Sequence, residues 1–341
     1  MSKGVTVRAT YSVVTPMFLS GADQSQPELR VSSIRGALRF WWRALAWSRL
    51  RGNLKALRDE ESQLFGSTCR QGMLMRLVGE PKLGTPKRLN TKAPFAFNGN
   101  KKRDGLVFLS YGALEQNGNV VHGVYQSPSV FEIECLMRKE HAELRQDLVK
   151  ALVALGTFGG LGAKSRNGFG SLNIESISYG EANDHQNIEK ETCDRVGELL
   201  RGCAHDATPS YSAFSGFSLD GCPCQVVDLG IDENEPAEAI NSVGNALKHF
   251  LYNVEARRKE DTALFGLPRA DLSDARRAAP IHYHVYKRGG RYRVLATVFP
   301  AAWLLADDGG GKAKAWSVLQ SFIETFPNRE VLYSASEATH G

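Results

Sequence analysis

Hydrophobic and polar positions alternate over VTVRATYSVV, residues 5 to 14, which predicts a β-strand ending at Thr15-Pro16. A loop of Gly, Asp, Gln and Pro leads to Arg30. The spacing then becomes helical over SSIRGALRFWWRALAWSRL, residues 32 to 50, a helix that Ser32 or Ser33 would cap and that Gly52-Asn53 would break after about Arg51. A second helix, about 54 to 65, runs into Leu64-Phe65-Gly66, and GMLMRLV from Gly72 returns as a strand. Residues 80 to 105 lose periodicity while collecting seven basic residues, among them Lys101, Lys102 and Arg103, and read as a long mobile loop that orders on binding. VFEIECLMR (130 to 138) alternates again, HAELRQDLVKALVAL (141 to 155) is helical, and LNIESIS after residue 171 is a strand.

The polar stretch GEANDHQNIEKE, 180 to 191, has linker composition and divides the chain into residues 1–180 and 181–341. Beyond it the plan recurs: a strand near 225 to 231, a helix from about 236, a second Leu264-Phe265-Gly266, and the strands IHYHVYK and YRVLATVF joined by Arg288-Gly289-Gly290-Arg291. A helix from about 313 to 325 follows. Mixed elements with antiparallel hairpins predict an α+β chain of ferredoxin-like units, and the repeated Leu-Phe-Gly hints at internal duplication.

Composition adds little until charge is placed along the chain. The 341 residues are 42% hydrophobic and 23% charged, ordinary for a folded protein, and the formal charge of +5 does not single out a nucleic-acid binder. Between residues 30 and 58, however, Arg30, Arg35, Arg39, Arg43, Arg49, Arg51, Lys55 and Arg58 occur without an acid, which favours a polyanionic partner at that place. No apolar run approaches the roughly 20 residues of a bilayer span, so the expected location is cytoplasmic. Six cysteines form no even disulfide framework.

Projected at about 100° per residue, the first helix puts Ile34, Ala37, Leu38, Trp41 and Leu45 on one face and Arg35, Arg39 and Arg43 on another, with Trp42 beside the row. Like charges at this spacing repel by a few tenths of a kcal/mol per pair, a cost that a phosphate backbone would remove while Trp42 stacked on a base. A solvated basic face with a partly buried Trp42 is the other arrangement the helix permits. GTFGGLGAKSRNGFGS, 156 to 171, sets Lys164, Arg166, Asn167 and Phe169 among glycines that let backbone approach a phosphate. It is not a nucleotide-binding P-loop, because no glycine directly precedes Lys164 and the loop runs from helix to strand.

TPMFLSGADQSQPELRVSSIRGALRFWWRAL, the ESQLFGST that follows and the glycine-rich loop resemble the RAMP superfamily of CRISPR effector subunits, the first string most of all its type III-B (Cmr) capping members. The resemblance covers about residues 10 to 72 and 150 to 172, and RRAAPIHYHVYKRGGRYRVLATVF (276 to 299) is similar as well. It implies two ferredoxin-like (RRM-like) RAMP domains in tandem. It also implies assembly with other RAMP subunits on a guide RNA near its 3′ end, contact with single-stranded target RNA, cutting left to other subunits, and no cofactor. Carried over as RNA-binding are Arg30, Ser33, Arg35, Arg39, Trp42 and Arg43, with Lys164, Arg166, Asn167 and Phe169 from the loop.

Two other function classes stay open on the residues alone. His282 and His284 share a face of one strand close to Arg276 and Arg277, as a metal-free endoribonuclease processing guide RNA would require, but a polar strand face packed on a partner or on RNA is the favoured expectation. A scaffold could instead use the basic face on acidic protein neighbours. His122 and His249 stand singly, and Asp23 reads as a turn residue. Cys193, Cys203, His205, Cys222 and Cys224 lack the C-x₂-C spacing of structural zinc, and buried thiols are the expected arrangement.

Overall fold

The computed structural model describes residues 5–83, 86–87, 92–127, 129–179, 185–187, 192–201, 203, 216–217, 224–252, 264–266, 279–299 and 311–334. The first half opens with β1 (Val5–Val13) and β2 (Met17–Phe18), then α1 (Val31–Arg49), α2 (Leu54–Phe65) and β3 (Leu74–Leu77). An inserted region holds β4 (Pro86–Lys87), β5 (Phe97–Asn98), β6 (Lys101–Lys102), α3 (Asp104–Leu109) and β7 (Val124–Tyr125). β8 (Ser129–Met137), α4 (Arg145–Phe158), β9 (Leu172–Tyr179), β10 (His185–Asn187) and α5 (Thr192–Leu200) complete it. The second half runs β11 (Gln225–Asp228), α6 (Pro236–Tyr252), β12 (Ile281–Arg288), β13 (Arg291–Val298), α7 (Gly311–Glu324) and β14 (Glu330–Ser334).

Both halves repeat one antiparallel β-α-β-β-α-β plan. The first sheet is ordered β10-β9-β1-β8-β3, with α1 and α2 between β1 and β3 and α4 between β8 and β9. The second is ordered β12-β13-β11-β14, the same connection order seen from the opposite side. The two Leu-Phe-Gly segments sit at matching places, each after its unit's first helical segment: Phe65 is buried in one core and Phe265 in the other, and Gly66 and Gly266 both have positive φ, +87° and +66°. The first sheet runs past the boundary anticipated at 180, because β10 pairs with β9.

Alternation decides the layers. Val7, Ala9, Tyr11 and Val13 of β1 and Phe131, Ile133, Cys135 and Met137 of β8 point inward under α1 and α4, and the Tyr11 hydroxyl donates to the Leu152 carbonyl at 2.9 Å. β12 is buried on both faces: Ile281, Tyr283 and Val285 pack under α6 and α7, while His282, His284 and Tyr286 turn toward α1 and α4. The order of layers is therefore sheet, helices, sheet, helices, and among the described residues nothing covers the outer face of the first sheet, where Leu74 and Leu136 are 54% and 38% exposed.

Three sequence expectations need correction. Residues 92–105 are ordered as a 3₁₀ turn at Pro94–Ala96, the β5–β6 hairpin and the start of α3, because Arg103 is buried and bonded to Glu235 and Glu238 while Phe95 and Ala96 join the second core. Residues 84–85 and 88–91 of that stretch lie outside the described residues. The cap of α1 is Arg30, in extended conformation and without a side-chain cap bond, so Ser32 and Ser33 fall inside the first turn. The buried arc of α1 is also wider than a single stripe: Trp42, Ala44, Ala46 and Trp47 join Ile34, Leu38 and Trp41, since α2 covers a second flank.

The insertion is fastened to the second half by helix contact at two glycines. A Cβ on Gly244 of α6 would stand 2.0 Å from the Gly105 carbonyl oxygen, so the two helices approach at backbone distance. Gly244→Ala should lower stability by about 1–3 kcal/mol, the usual range for overpacking a tight contact, read as a shift of the urea midpoint. An unchanged midpoint would mean that α3 does not sit on α6 at this distance.

Candidate nucleic-acid interface

The arginine row of α1 is laid out as its spacing predicts, but it is not free. Arg43 Nε donates to Glu61 Oε2 at 2.7 Å, Arg39 Nε lies 3.5 Å from Glu61 Oε1, and Arg39 also donates to the Gly66 carbonyl and covers the Phe65 ring. Arg49 is paired in the same way with Glu60 and Asp147. The anion expected from outside is thus supplied in part by α2. The tight turn at residues 50–53 folds α2 back along α1, and its run Asp59-Glu60-Glu61 was the sequence signal that could have revealed this. The hydrogen bond from Arg43 to Glu61 raises the guanidinium's pKa against the opposing effect of burial. Two cations share one carboxylate, so Arg39 and Arg43 retain one net positive charge on a half-exposed surface. Arg35 donates to the Met73 carbonyl at 3.4 Å and has no carboxylate partner among the described residues.

Neither predicted stacking ring is available to a base. Trp42 is 1% exposed, packed edge-on to Phe65, and Phe169 is 0% exposed against Phe18. Trp42 lies where the α1–α2 contact closes over it, and Phe169 points inward because Gly168 and Gly170, with φ of +86° and +61°, bend the loop around it. On this face of α1 the half-exposed aromatic side chain is Phe40, which reasoning from spacing had not singled out. Its ring stacks on His282 at 5.1 Å and carries the Arg166 guanidinium 5.6 Å from its centroid.

The glycine-rich loop is the joint between the two halves. Thr15 Oγ1 donates to the Gly168 carbonyl at 2.7 Å and accepts from Ser171 N–H at 2.9 Å; Ser171 Oγ in turn accepts from Val285 N–H at 3.0 Å. The Tyr283 amide donates to the Arg166 carbonyl, 2.8 Å, and Asn167 Nδ2 donates to the Leu109 carbonyl, 2.7 Å. Asn167 is therefore occupied in holding the insertion to the loop. Glycine is required at Gly162, where φ is +89° and a Cβ would come 2.1 Å from the Phe18 carbonyl oxygen.

What the joint leaves outward is two half-buried cations. Lys164 sits at φ +62°, a left-handed conformation unusual for lysine, and Arg166 donates to the Ala279 carbonyl at 3.0 Å. Neither has a carboxylate partner among the described residues, and burial lowers the pKa of both. On α1 the neighbouring solvent stripe consists of exposed Ser32 and Gly36 with half-buried Ser33 and Phe40, and Arg30 is exposed at the helix start. The arginine row thus borders this stripe on the α2 side and the loop borders it on the other, where Arg166 covers Phe40.

The histidines do not form an active site in this arrangement. His282 and His284 are 6% and 1% exposed between the layers, where burial holds His282 well below its ordinary pKa and His284 down to about 3. His284 Nδ1 faces the Gly159 carbonyl at 2.9 Å, which fits a neutral ring donating there. Arg276 and Arg277 lie outside the described residues. So do His205, Cys222 and the side chain of Cys193, while Cys203 and Cys224 are buried. Asp23 accepts from the amide and hydroxyl of Ser25, as a turn residue does. His122 is half-buried and His249 exposed. No helix among the described residues is long and apolar enough to cross a membrane.

Residues 10–173 match the family model of the RAMP superfamily. The CRISPR system Cmr subunit Cmr1-1 of Pyrococcus furiosus is 28% identical over 300 residues, covering 82% of this chain and 82% of that protein. Cmr1-2 of the same organism is 44% identical over 55 residues, 16% of this chain and 29% of its own length. The fold is shared with the apo crystal structure of Cmr1 from Pyrococcus furiosus at a TM-score of 0.61 and 20% identity, covering 97% and 99% of the two chains. A chain of a cryo-EM structure of the type III-B Cmr-beta complex bound to cognate target RNA has a TM-score of 0.53 and 11% identity, with coverage of 94% and 100%.

The buried histidines give stability a pH dependence. An unfolded chain takes up the His284 proton near 6.5 and the folded one only near 3, so stability is complete above pH 6.5 and falls below it. The slope is about 1.4 kcal/mol per pH unit for this one group. Urea midpoints compared at about pH 7.5 and about pH 5.5 should show this loss, and His284→Asn, whose amide can still donate to the carbonyl, should shrink it. Equal losses in the two proteins would mean that His284 is charged in the fold.

Proposed function

We propose that this chain, which carries a RAMP-superfamily region over residues 10–173, is a non-catalytic RNA-binding subunit of a type III-B CRISPR Cmr ribonucleoprotein. In this reading it holds the guide RNA near its 3′ end, assists capture of single-stranded target RNA in antiviral defence, and works in the cytoplasm beside other RAMP subunits. The likeness to Cmr1-1 along 82% of both chains supports the complex. The observation that carries the RNA role is the pair Lys164 and Arg166: half-buried, without a carboxylate partner among the described residues, and set on a backbone that the joint between the halves holds in place. A cation already partly stripped of water gains more from a phosphate than a fully hydrated one, and a preorganised one loses less entropy on binding.

The strand follows the solvent stripe of α1, with Arg30, Ser33 and Arg35 near its start, Lys164 and Arg166 on one bank and the Arg39–Arg43 pair on the other. Asn167 braces the loop, and Trp42 and Phe169 act only through the core. The finer reading of the fold belongs to the same proposal: two ferredoxin-like, RRM-like units in tandem, residues 1–180 with β10 added and the remainder to 341, supported by the matching connection orders of the two sheets.

Fluorescence anisotropy with a labelled single-stranded RNA tests it. Lys164→Ala/Arg166→Ala should weaken binding by about tenfold or more and lower the slope of log K against log salt by about one to two, one for each phosphate no longer neutralised. Arg39→Ala/Arg43→Ala should weaken binding less and cost stability, since Glu61 is left without its partners. Wild-type affinity and slope in the Lys164→Ala/Arg166→Ala protein would sink the reading.

A further inference from the structure

At the other end of the α1–α4 pair lies a cavity of about 300 Å³ that the RNA reading does not use. The two helices run antiparallel: Trp41 touches Phe158 near the glycine-rich loop, whereas Arg49 pairs with Asp147 at the far end. Eleven residues of α4 separate Asp147 from Phe158, about 16 Å at 1.5 Å per residue. The cavity is therefore a separate place on the molecule.

Its construction is specific. Trp42, Leu45, Ala46 and Arg49 recur at the spacing of one helix face, and with Leu199 of α5 they give an apolar wall with a cationic edge. The wall is fixed across the two helices by the Ser48 hydroxyl donating to the Cys203 carbonyl at 2.7 Å. Arg51, Lys150 and Arg201 stand exposed around the mouth and form no ion pair among the described residues. Trp42, 1% exposed, backs this wall from within the core. Asp147 is the carboxylate in the lining; burial, aided by the neighbouring Glu60 carboxylate, raises its pKa against the opposing effect of Arg49 and Lys150.

We propose that this cavity binds a nucleotide, its base against the apolar wall of Leu45, Ala46 and Leu199 and its phosphates among Arg51, Lys150 and Arg201. Inorganic phosphate alone would leave the apolar wall empty, and an uncharged aromatic would leave three cations unanswered. The volume is at the lower end for small-molecule sites, which suits a single nucleotide. A base also offers an amino group to donate to Asp147, the carboxylate of the lining. The nucleotide is either free or the end of an RNA strand, two sources with the same chemistry.

Anisotropy of ADP carrying a fluorescent N-methylanthraniloyl group on its ribose tests this. Saturable binding is expected, weakened by about tenfold or more in Lys150→Glu/Arg201→Glu, whose exposed positions leave the fold intact, and unchanged in Lys164→Ala/Arg166→Ala. Ala46→Leu, which fills the wall, should weaken it as well. Displacement by unlabelled ADP identifies a free nucleotide, and displacement only by a five-nucleotide RNA identifies a strand end; both support the site. No saturation up to about 1 mM, displacement by inorganic phosphate as effective as by ADP, or undiminished binding in Lys150→Glu/Arg201→Glu would overturn it. Loss of binding in Lys164→Ala/Arg166→Ala would also overturn it by moving the nucleotide to the RNA face, so this proposal and the RNA reading fail separately.

Discussion

The structure depends on one close approach: the inner face of β12 against the glycine-rich loop at the end of α4. A second sheet can be laid over the helices of the first only if the loop between α4 and β9 is thin enough to pass beneath β12. Thr15, Ser171 and the backbone of residues 166 to 168 then satisfy the polar groups that this burial would otherwise strand. A side chain at Gly162 or Gly170 would meet a carbonyl oxygen at 2.1 Å, so the dense glycines of this loop answer a packing demand before any ligand is considered. The same approach buries His282 and His284 and strips them of charge, which removes the residues best suited to metal-free RNA cleavage from contact with any substrate.

That constraint also sorts the cations. Several cations have an acid beside them: Glu61 between Arg39 and Arg43, Glu60 and Asp147 on Arg49, Glu235 and Glu238 on Arg103. The cations of the loop were not answered in this way. Lys164 and Arg166 bear the cost of partial desolvation without a countercharge among the described residues, an arrangement that internal stability does not favour and that an external anion would repair. Row and loop are therefore unequal: the row resembles a structural ion-pair network with charge to spare, the loop a site held ready.

Most of the fold could be read from periodicity because β1 and β8 keep a clean two-residue alternation and the helices carry long apolar stripes. β1, α1, α2, β8, α4, β9 and the β12–β13 hairpin fall within a few residues of their expected limits, and Gly289 and Gly290 take the positive φ, +56° and +83°, that their hairpin turn demands. What stayed hidden was every property set by a partner far along the chain. A helical wheel places Trp42 beside arginines without disclosing that α2 will cover it, and a charge count over residues 30 to 58 stops just short of Glu60 and Glu61. Phe169 looked exposed among polar neighbours, yet its flanking glycines turn it into the core. The insertion looked like a loop because Arg103 reads as one more basic residue until Glu235 and Glu238, more than 130 positions away, bury it.

The outer face of the first sheet bears on the RNA path proposed above. RNA-binding domains of RRM type stack bases on aromatic side chains of the exposed sheet surface. Among the described side chains the outward positions include Arg8, Thr10 and Ser12 on β1, Val130, Glu132, Glu134 and Leu136 on β8, Leu74 and Arg76 on β3, and Asn173, Glu175, Ser176 and Ser178 on β9. None is aromatic, and Glu134, held ionised by its hydrogen bonds from Arg76 and Arg8, spends those two cations within the sheet. A phosphate backbone approaching this surface meets carboxylates and aliphatic side chains. The helix–loop side offers unanswered cations on a fixed backbone, with the half-exposed Phe40 ring beneath Arg166. If this chain holds RNA, the sheet that organises its fold is turned away from the ligand, and the connecting loop between its halves is what meets it.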